Sequence, residues 1–111
     1  MNQNYDLDHN LVKGCSLCEI FLNPEKNIKT KLYYPEVDNI STSEFVIVDC
    51  LSCNSQCVYI RDHVSDISNE LWGKVLYKCR MIFGNNIRLQ KETKIVLDHW
   101  SAHITHLTKY R

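Results

Sequence analysis

Residues 67 to 83 carry the pattern that most constrains the fold of this chain. Apolar side chains recur there every three or four positions, which places them on one face of a helix. The members of this repeat are Ile67, Leu71, Val75, Cys79 and Ile82. Ser65 or Asp66 is suited to cap the start of the helix, and Gly84 is suited to end it. The pattern predicts one long helix that buries one face in the core.

Shorter runs of β-branched and aromatic residues on both sides of this helix predict strands. These runs lie at 31–34, 44–49, 58–61, 87–90 and 94–107, whereas the polar segment 50–57 predicts a loop. A short helical turn is expected after Cys15, ahead of Pro24. The order of strand, hairpin, helix and further strands is typical of an α+β fold with a mainly antiparallel sheet.

Length and charge fit one globular domain, since the 111 residues include 13 Lys and Arg against 13 Asp and Glu. We assign this domain to residues 14–108, between flexible tails at 1–13 and 109–111. A net charge of zero gives no strong signal for nucleic-acid binding. No apolar run approaches the roughly 18–20 residues of a membrane span, and the first ten residues lack signal-peptide features. We therefore expect a cytoplasmic protein, in which six cysteines favour metal binding or reactivity over disulfides.

Cys15 and Cys18 have the spacing of a metal-ligand pair. Two thiolates on a tight turn can share one zinc ion. The same spacing occurs in redox pairs, although the βαβ context of that motif is missing here. It is also found where the two cysteines are simply small residues buried in the core. Zinc is the cofactor that this pair suggests.

Two sets of residues could complete a zinc site. Cys50 and Cys53 would make a four-cysteine site of zinc-ribbon type, which spacing alone slightly favours. His63, before the long helix, and His99, at the start of the last strand, form the other set. Cys57 could replace a member of either set. The residues alone leave this choice open.

The last predicted strand is rich in histidine. Side chains alternate along a strand, so one face carries polar groups and the other apolar ones. The polar face comprises His99, Ser101, His103 and Thr105, and the apolar face comprises Trp100, Ala102 and Ile104. His106 falls on the apolar side and is given no role. We expect the apolar face to pack into the core and the polar face to line a site.

This arrangement resembles the histidine triad (HIT) family, in its zinc-bearing branch. The family signature alternates three histidines with apolar residues on a strand, and His99, Ser101 and His103 occupy those three positions. The CxxC pair, the strand at 44–49, the segment around His63 and the long helix follow in the family's order. The resemblance covers about residues 15 to 107 and implies a HIT-like fold.

The resemblance implies a closed structural zinc site. In the zinc-bearing relatives the ligands are the two cysteines of CxxC, a histidine before the long helix and the first triad histidine. Carried over to this chain, these ligands are Cys15, Cys18, His63 and His99. Cys50, Cys53 and Cys57 are then left over, and their loop contacts the site or holds a second, weaker metal.

The resemblance also implies chemistry on nucleotides. In family enzymes the middle histidine attacks an α-phosphate and forms a covalent nucleotidyl-histidine. Ser101 stands at that position, and its hydroxyl would need an adjacent base, for which His103 is the candidate. Candidate phosphate-binding cations are Lys74, Lys78, Lys109 and Arg111.

Three functions follow as hypotheses. The first is a HIT-like nucleotide hydrolase or nucleotidyltransferase, with activity weakened or lost because Ser101 replaces the nucleophile. The second is a catalytically inactive HIT-like module that binds a nucleotide or a protein. The third is a four-cysteine zinc interaction module. The resemblance further implies a homodimer, and nothing in the sequence indicates a membrane partner.

Overall fold

The computed structural model describes residues 5–6, 11–12, 15–50, 55–62, 64, 66–89 and 99–107. Its strands are β1 (Tyr5–Asp6), β2 (Leu11–Val12), β3 (Leu32–Tyr34), β4 (Phe45–Asp49), β5 (Gln56–Ile60), β6 (Ile87–Leu89) and β7 (Ser101–His106). Its α-helices are α1 (Ser16–Leu22), α2 (Pro24–Asn27) and α3 (Asn69–Phe83), with a 3-10 helix at Val37–Thr42. Within the described part, no helix has the length and apolar character needed to cross a bilayer.

Five of these strands form one antiparallel sheet in the order β3–β4–β5–β7–β6, and β1 pairs with β2 separately. Helix α3 connects the sheet's central hairpin to its last two strands. The predicted α+β fold with a mainly antiparallel sheet and one long helix is confirmed.

Helix α3 starts later than the sequence pattern predicts. Its N-cap is Ser68, whose side-chain oxygen accepts a hydrogen bond from the Leu71 backbone N–H at 3.1 Å. The predicted caps Ser65 and Asp66 were therefore wrong, because the extended backbone at Ser68 marks the true start of the helix. Gly84 ends the helix as predicted, with a φ of 91° that favours glycine.

Both faces of the sheet are covered. On one face α3 buries Val75 and Cys79 against a core that contains Phe45, Ile47, Val58, Ile60, Trp100, Ala102 and Ile104. On the other face α1 packs against the 3-10 helix and β4, in a cluster of Leu17, Cys18, Ile20, Phe21, Ile40 and Val46. The predicted apolar face of β7 does lie in the core under α3. Its polar face lies on the α1 side of the sheet.

Two strand predictions need comment. Cys57 was predicted in a loop but lies in β5, where it pairs with Val48 of β4 and is buried. The polar residues around it obscured the alternation that this short strand shares with its neighbours. The predicted strand segment 94–98 lies outside the described residues, as do most residues of the two predicted tails.

The Cys79 thiol is expected to make stability fall at high pH. Burial raises the pKa of this thiol from 9.0 to about 12. Between those values the unfolded chain loses a proton that the folded chain keeps. Below about pH 9 the thiol is protonated in both states and leaves the free energy of unfolding unchanged. Above about pH 9 the free energy of unfolding falls by up to about 1.4 kcal/mol per pH unit.

Urea unfolding of the protein and of Cys79→Ala, measured from pH 7 to pH 11, tests this expectation. Below pH 9 the substitution costs stability, because it leaves a small cavity. Above pH 9 the gap between the two proteins should narrow, since only the unmodified chain carries the thiol. Parallel curves across the whole range would contradict the expectation.

Candidate metal centre

Cys15, Cys18 and His99 form the first group of potential metal ligands. Their ligand atoms all lie within 4.8 Å of one another. The Nδ1 atom of His99 lies 3.4 Å from the sulfur of Cys15 and 3.4 Å from the sulfur of Cys18. Cys18 and His99 are fully buried, and Cys15 is half-buried. We call this group the first cluster.

The other ring nitrogen of His99 identifies which tautomer the site requires. Nε2 lies 2.7 Å from the backbone carbonyl oxygen of Ile60, which can only accept a hydrogen bond. Nε2 must therefore carry the proton, which leaves the Nδ1 lone pair of the neutral ring facing both sulfurs. A second hydrogen bond of this kind is what orients a metal-ligating histidine.

The fold brings these three side chains together from distant parts of the chain. Cys15 is the N-cap of α1 and Cys18 lies in its first turn, so both thiols sit at the start of one helix. His99 precedes β7, and the next residue, Trp100, donates its backbone N–H to the Val64 carbonyl at 2.7 Å. The cluster thus joins the start of α1 to the start of β7.

The donor set of the first cluster fits zinc. Two thiolates and one imidazole are common ligands of structural zinc sites, which are closed and buried. Iron–sulfur clusters need more thiolates, and magnesium or calcium prefers oxygen ligands. A zinc ion held here would join segments that lie more than 80 residues apart in the sequence.

The structure brings three of the four sequence-predicted zinc ligands together. The fourth, His63, lies outside the described residues, as does Cys53 of the four-cysteine alternative. Cys50 is not a member of the first cluster. The described part of the chain therefore supports the histidine-containing set more than the four-cysteine set.

Cys50, Cys57 and His103 form a second group, which we call the second cluster. Their ligand atoms also lie within 4.8 Å of one another, and the Cys50 sulfur lies 3.6 Å from His103 Nε2. The sequence analysis treated His103 as a base beside Ser101. In the structure its ring instead lies beside two cysteines. Only the pairing of β5 with β7 reveals this neighbourhood.

Ser101 occupies a closed position. The residue is 1% exposed, and its hydroxyl oxygen has no hydrogen-bond partner among the described residues. Its strand partner is Tyr59, which packs against the α1 side of the sheet. The structure therefore places Ser101 in the interior, beside a strand neighbour that packs against the α1 cluster.

Two substitutions at Ser101 are expected to have opposite effects on stability. A buried hydroxyl without a partner costs about 1–3 kcal/mol, so Ser101→Ala should raise the free energy of unfolding by about 1 kcal/mol. Ser101→His must fit a larger ring into a packed position and should lower it by about 1–3 kcal/mol.

Urea unfolding of both variants measures these effects. Thr105→Ala is the matched control, because Thr105 lies on the same face of β7 but is exposed, and it should change stability by less than about 0.5 kcal/mol. Loss of stability in Ser101→Ala together with a neutral Ser101→His would instead indicate an open pocket at this position.

The candidate phosphate-binding lysines lie on the other side of the sheet. Lys74 makes an ion pair with Glu44 at 3.0 Å, and the Lys78 ammonium lies 4.7 Å from the centre of the Tyr34 ring. Both line a groove of about 970 Å³ between α3 and β3. Neither is positioned to serve Ser101. Lys109 and Arg111 lie outside the described residues.

Comparison with known proteins identifies no relative of this chain. The chain matches no family model, no curated protein and no solved structure.

Proposed function

We propose that this chain is a zinc-binding module in which the first cluster holds a structural zinc ion. The observation that carries the proposal is the convergence of two sulfurs on His99 Nδ1 at equal distances of 3.4 Å. The resemblance to the HIT family supplies His63 as the fourth ligand. When bound, the zinc supplies a cross-link between α1 and β7 and takes no part in chemistry.

A simpler alternative is that the two thiols donate hydrogen bonds to His99 without any metal. Both arrangements need the same tautomer of His99, so geometry alone supports either. They differ in metal content, because only the zinc site retains an ion through purification and dialysis. They also differ in pH dependence, since zinc must compete with protons for the two thiolates.

Metal analysis of the purified protein separates these alternatives. We expect the unmodified protein and Cys79→Ala to retain zinc after dialysis against buffer treated to remove metals. Cys18→Ser should lose one equivalent. Cys79 is the matched control, because it is also a buried cysteine but belongs to neither cluster. Equal zinc content in Cys18→Ser and the unmodified protein would overturn the proposal.

We further propose that any nucleotide function is one of binding rather than turnover. The HIT resemblance implies a nucleotide-phosphate ligand, a site at Ser101 and His103, and a homodimer. The near-complete burial of Ser101 favours the inactive module over the hydrolase or transferase. Attack on a phosphate needs a hydroxyl that the substrate can reach and a base in contact with it.

Calorimetric titration with nucleoside monophosphates and dinucleoside polyphosphates, alongside turnover assays on the same compounds, tests this second proposal. Binding without turnover is the expected result, and light scattering should give the mass of a dimer. Turnover that is lost in Ser101→Ala would overturn the inactive module. Absence of binding would remove nucleotides as the ligand and leave the zinc proposal intact.

A further inference from the structure

The register of strands β4, β5 and β7 brings the three residues of the second cluster together. Cys57 of β5 is the direct partner of His103 on β7 and of Val48 on β4. Directly opposed residues project from the same face of a sheet with their Cβ atoms about 4.5–5.5 Å apart. Cys50 follows Val48 by two positions, so it projects from that face as well.

A hydrogen bond at the end of the β4–β5 hairpin fixes the position of Cys50. Its backbone N–H donates to the Ser55 carbonyl at 2.8 Å, one step beyond the Asp49–Gln56 pair. This contact extends the ladder past the last residue of β4. Cys50 is thus placed by the sheet itself, which accounts for the 3.6 Å between its sulfur and His103 Nε2.

We propose that Cys50, Cys57 and His103 form a second zinc site, separate from the first cluster. Two thiolates and an imidazole suit a borderline-soft divalent ion such as zinc. Nε2 of His103 faces Cys50, so the ring nitrogen nearer the ion differs from that of His99. The first cluster takes its histidine from the residue two positions before β7, and the second cluster takes its histidine from within β7.

The second site is more open to solvent than the first. Cys50 and His103 are both half-buried, whereas only Cys15 is half-buried in the first cluster. Solvent access to an ion favours faster exchange and a water molecule as a further ligand. We therefore infer that the second zinc ion binds more weakly than the first and is removed first by a chelator.

Asp49 is the acidic neighbour of Cys50, but alternation along β4 places its side chain on the α3 face of the sheet, opposite the second cluster. The Asp49 carboxylate, adjacent to Cys50, accepts hydrogen bonds from Tyr33 at 2.8 Å and from Gln56 at 3.3 Å. The Tyr33 pKa is raised chiefly by its hydrogen bond to this carboxylate and then by burial. Asp49 is engaged in these contacts and is not counted among the ligands.

The stoichiometry of zinc binding tests the second site. The full-length chain, kept reduced, is loaded with Zn²⁺ and its bound ions are counted by native mass spectrometry. We expect two ions for the unmodified protein and for the control Cys79→Ala, and one ion for Cys50→Ser and for His103→Gln. Both substituted residues are half-buried, so these variants should fold; circular dichroism checks this.

Competition with a chelator then measures affinity. Loss of an outer-shell partner lowers metal affinity roughly 10–100-fold. Substitution of a direct ligand should lower the zinc affinity of the second site by at least that factor. Cobalt substitution provides an independent readout, because sulfur-to-cobalt charge transfer should fall in Cys50→Ser and stay unchanged in Cys79→Ala. Cys53 is left intact in every variant.

The outcomes separate this proposal from that for the first cluster. One ion in the unmodified protein that is lost in Cys18→Ser would overturn the second site alone. One ion that is lost in Cys50→Ser but kept in Cys18→Ser would overturn the first site alone. A disulfide between Cys50 and Cys57 that persists in the presence of reductant, found by peptide mapping, would also overturn the second site.

Discussion

Removing zinc from the first cluster is expected to lower the melting temperature by about 15–30 °C. A ligand at 1,000 times its dissociation constant stabilises the folded state by about 4 kcal/mol. For a domain of this size each kcal/mol shifts the melting temperature by about 4–8 °C. The effect is large because the zinc joins α1, whose apolar residues form the cluster on one face of the sheet, to the start of β7.

Thermal unfolding of Cys50→Ser in zinc-buffered and chelator-containing solutions measures this effect, since in that variant only the first cluster can contribute. Cys18→Ser should show a much smaller response to the chelator. Equal melting temperatures for Cys50→Ser with and without zinc would show that the first cluster is a hydrogen-bonded core motif and not a metal site.

Trp100→Ala is expected to lower the free energy of unfolding by about 3–5 kcal/mol, which is a large share of the 5–15 kcal/mol typical of a domain. Trp100 is fully buried under α3, and its ring meets that of Trp72 edge to face, with centroids 6.0 Å apart. Truncation leaves a cavity that the surrounding strands cannot close.

Urea unfolding followed by circular dichroism tests this expectation, because loss of a tryptophan complicates fluorescence. Trp72→Ala is the matched control and should cost less, since Trp72 is only partly buried. A cost for Trp100→Ala no larger than that for Trp72→Ala would contradict the packing described for this face of the sheet.

The sequence pattern predicts much of the fold because the apolar repeats are regular. The spacing from Ile67 to Ile82 predicts α3, and the β-branched run at 45–49 predicts β4. The start of α3 was missed because Ser65, Asp66 and Ser68 are all short polar residues within four positions. Only backbone conformation distinguishes the true cap from its neighbours.

The first cluster was partly predictable and the second was not. Cys15 and Cys18 carry a recognisable spacing, and the family resemblance adds His99. The second cluster depends on which strands pair and in which register. The separation of 46 or more positions between His103 and the two cysteines hides that pairing from any reading of local spacing.

Burial of Ser101 also escaped prediction. Alternation along β7 correctly separates Ser101 from Trp100, but it gives no information on what covers each face. Tyr59, the strand partner of Ser101, packs against the α1 cluster, which depends on residues near the other end of the chain, such as Phe21. A polar face on a strand therefore predicts a site only when the second layer is known.

X-ray absorption spectroscopy of zinc-loaded Cys50→Ser tests the central claim most directly. The account predicts two sulfur ligands at about 2.3 Å and lighter nitrogen or oxygen ligands at about 2.0–2.2 Å. Loss of this zinc signal in Cys18→Ser/Cys50→Ser would identify Cys18 as a ligand. A spectrum with three or more sulfurs, or with none, would contradict the assignment of Cys15, Cys18 and His99 as the zinc site.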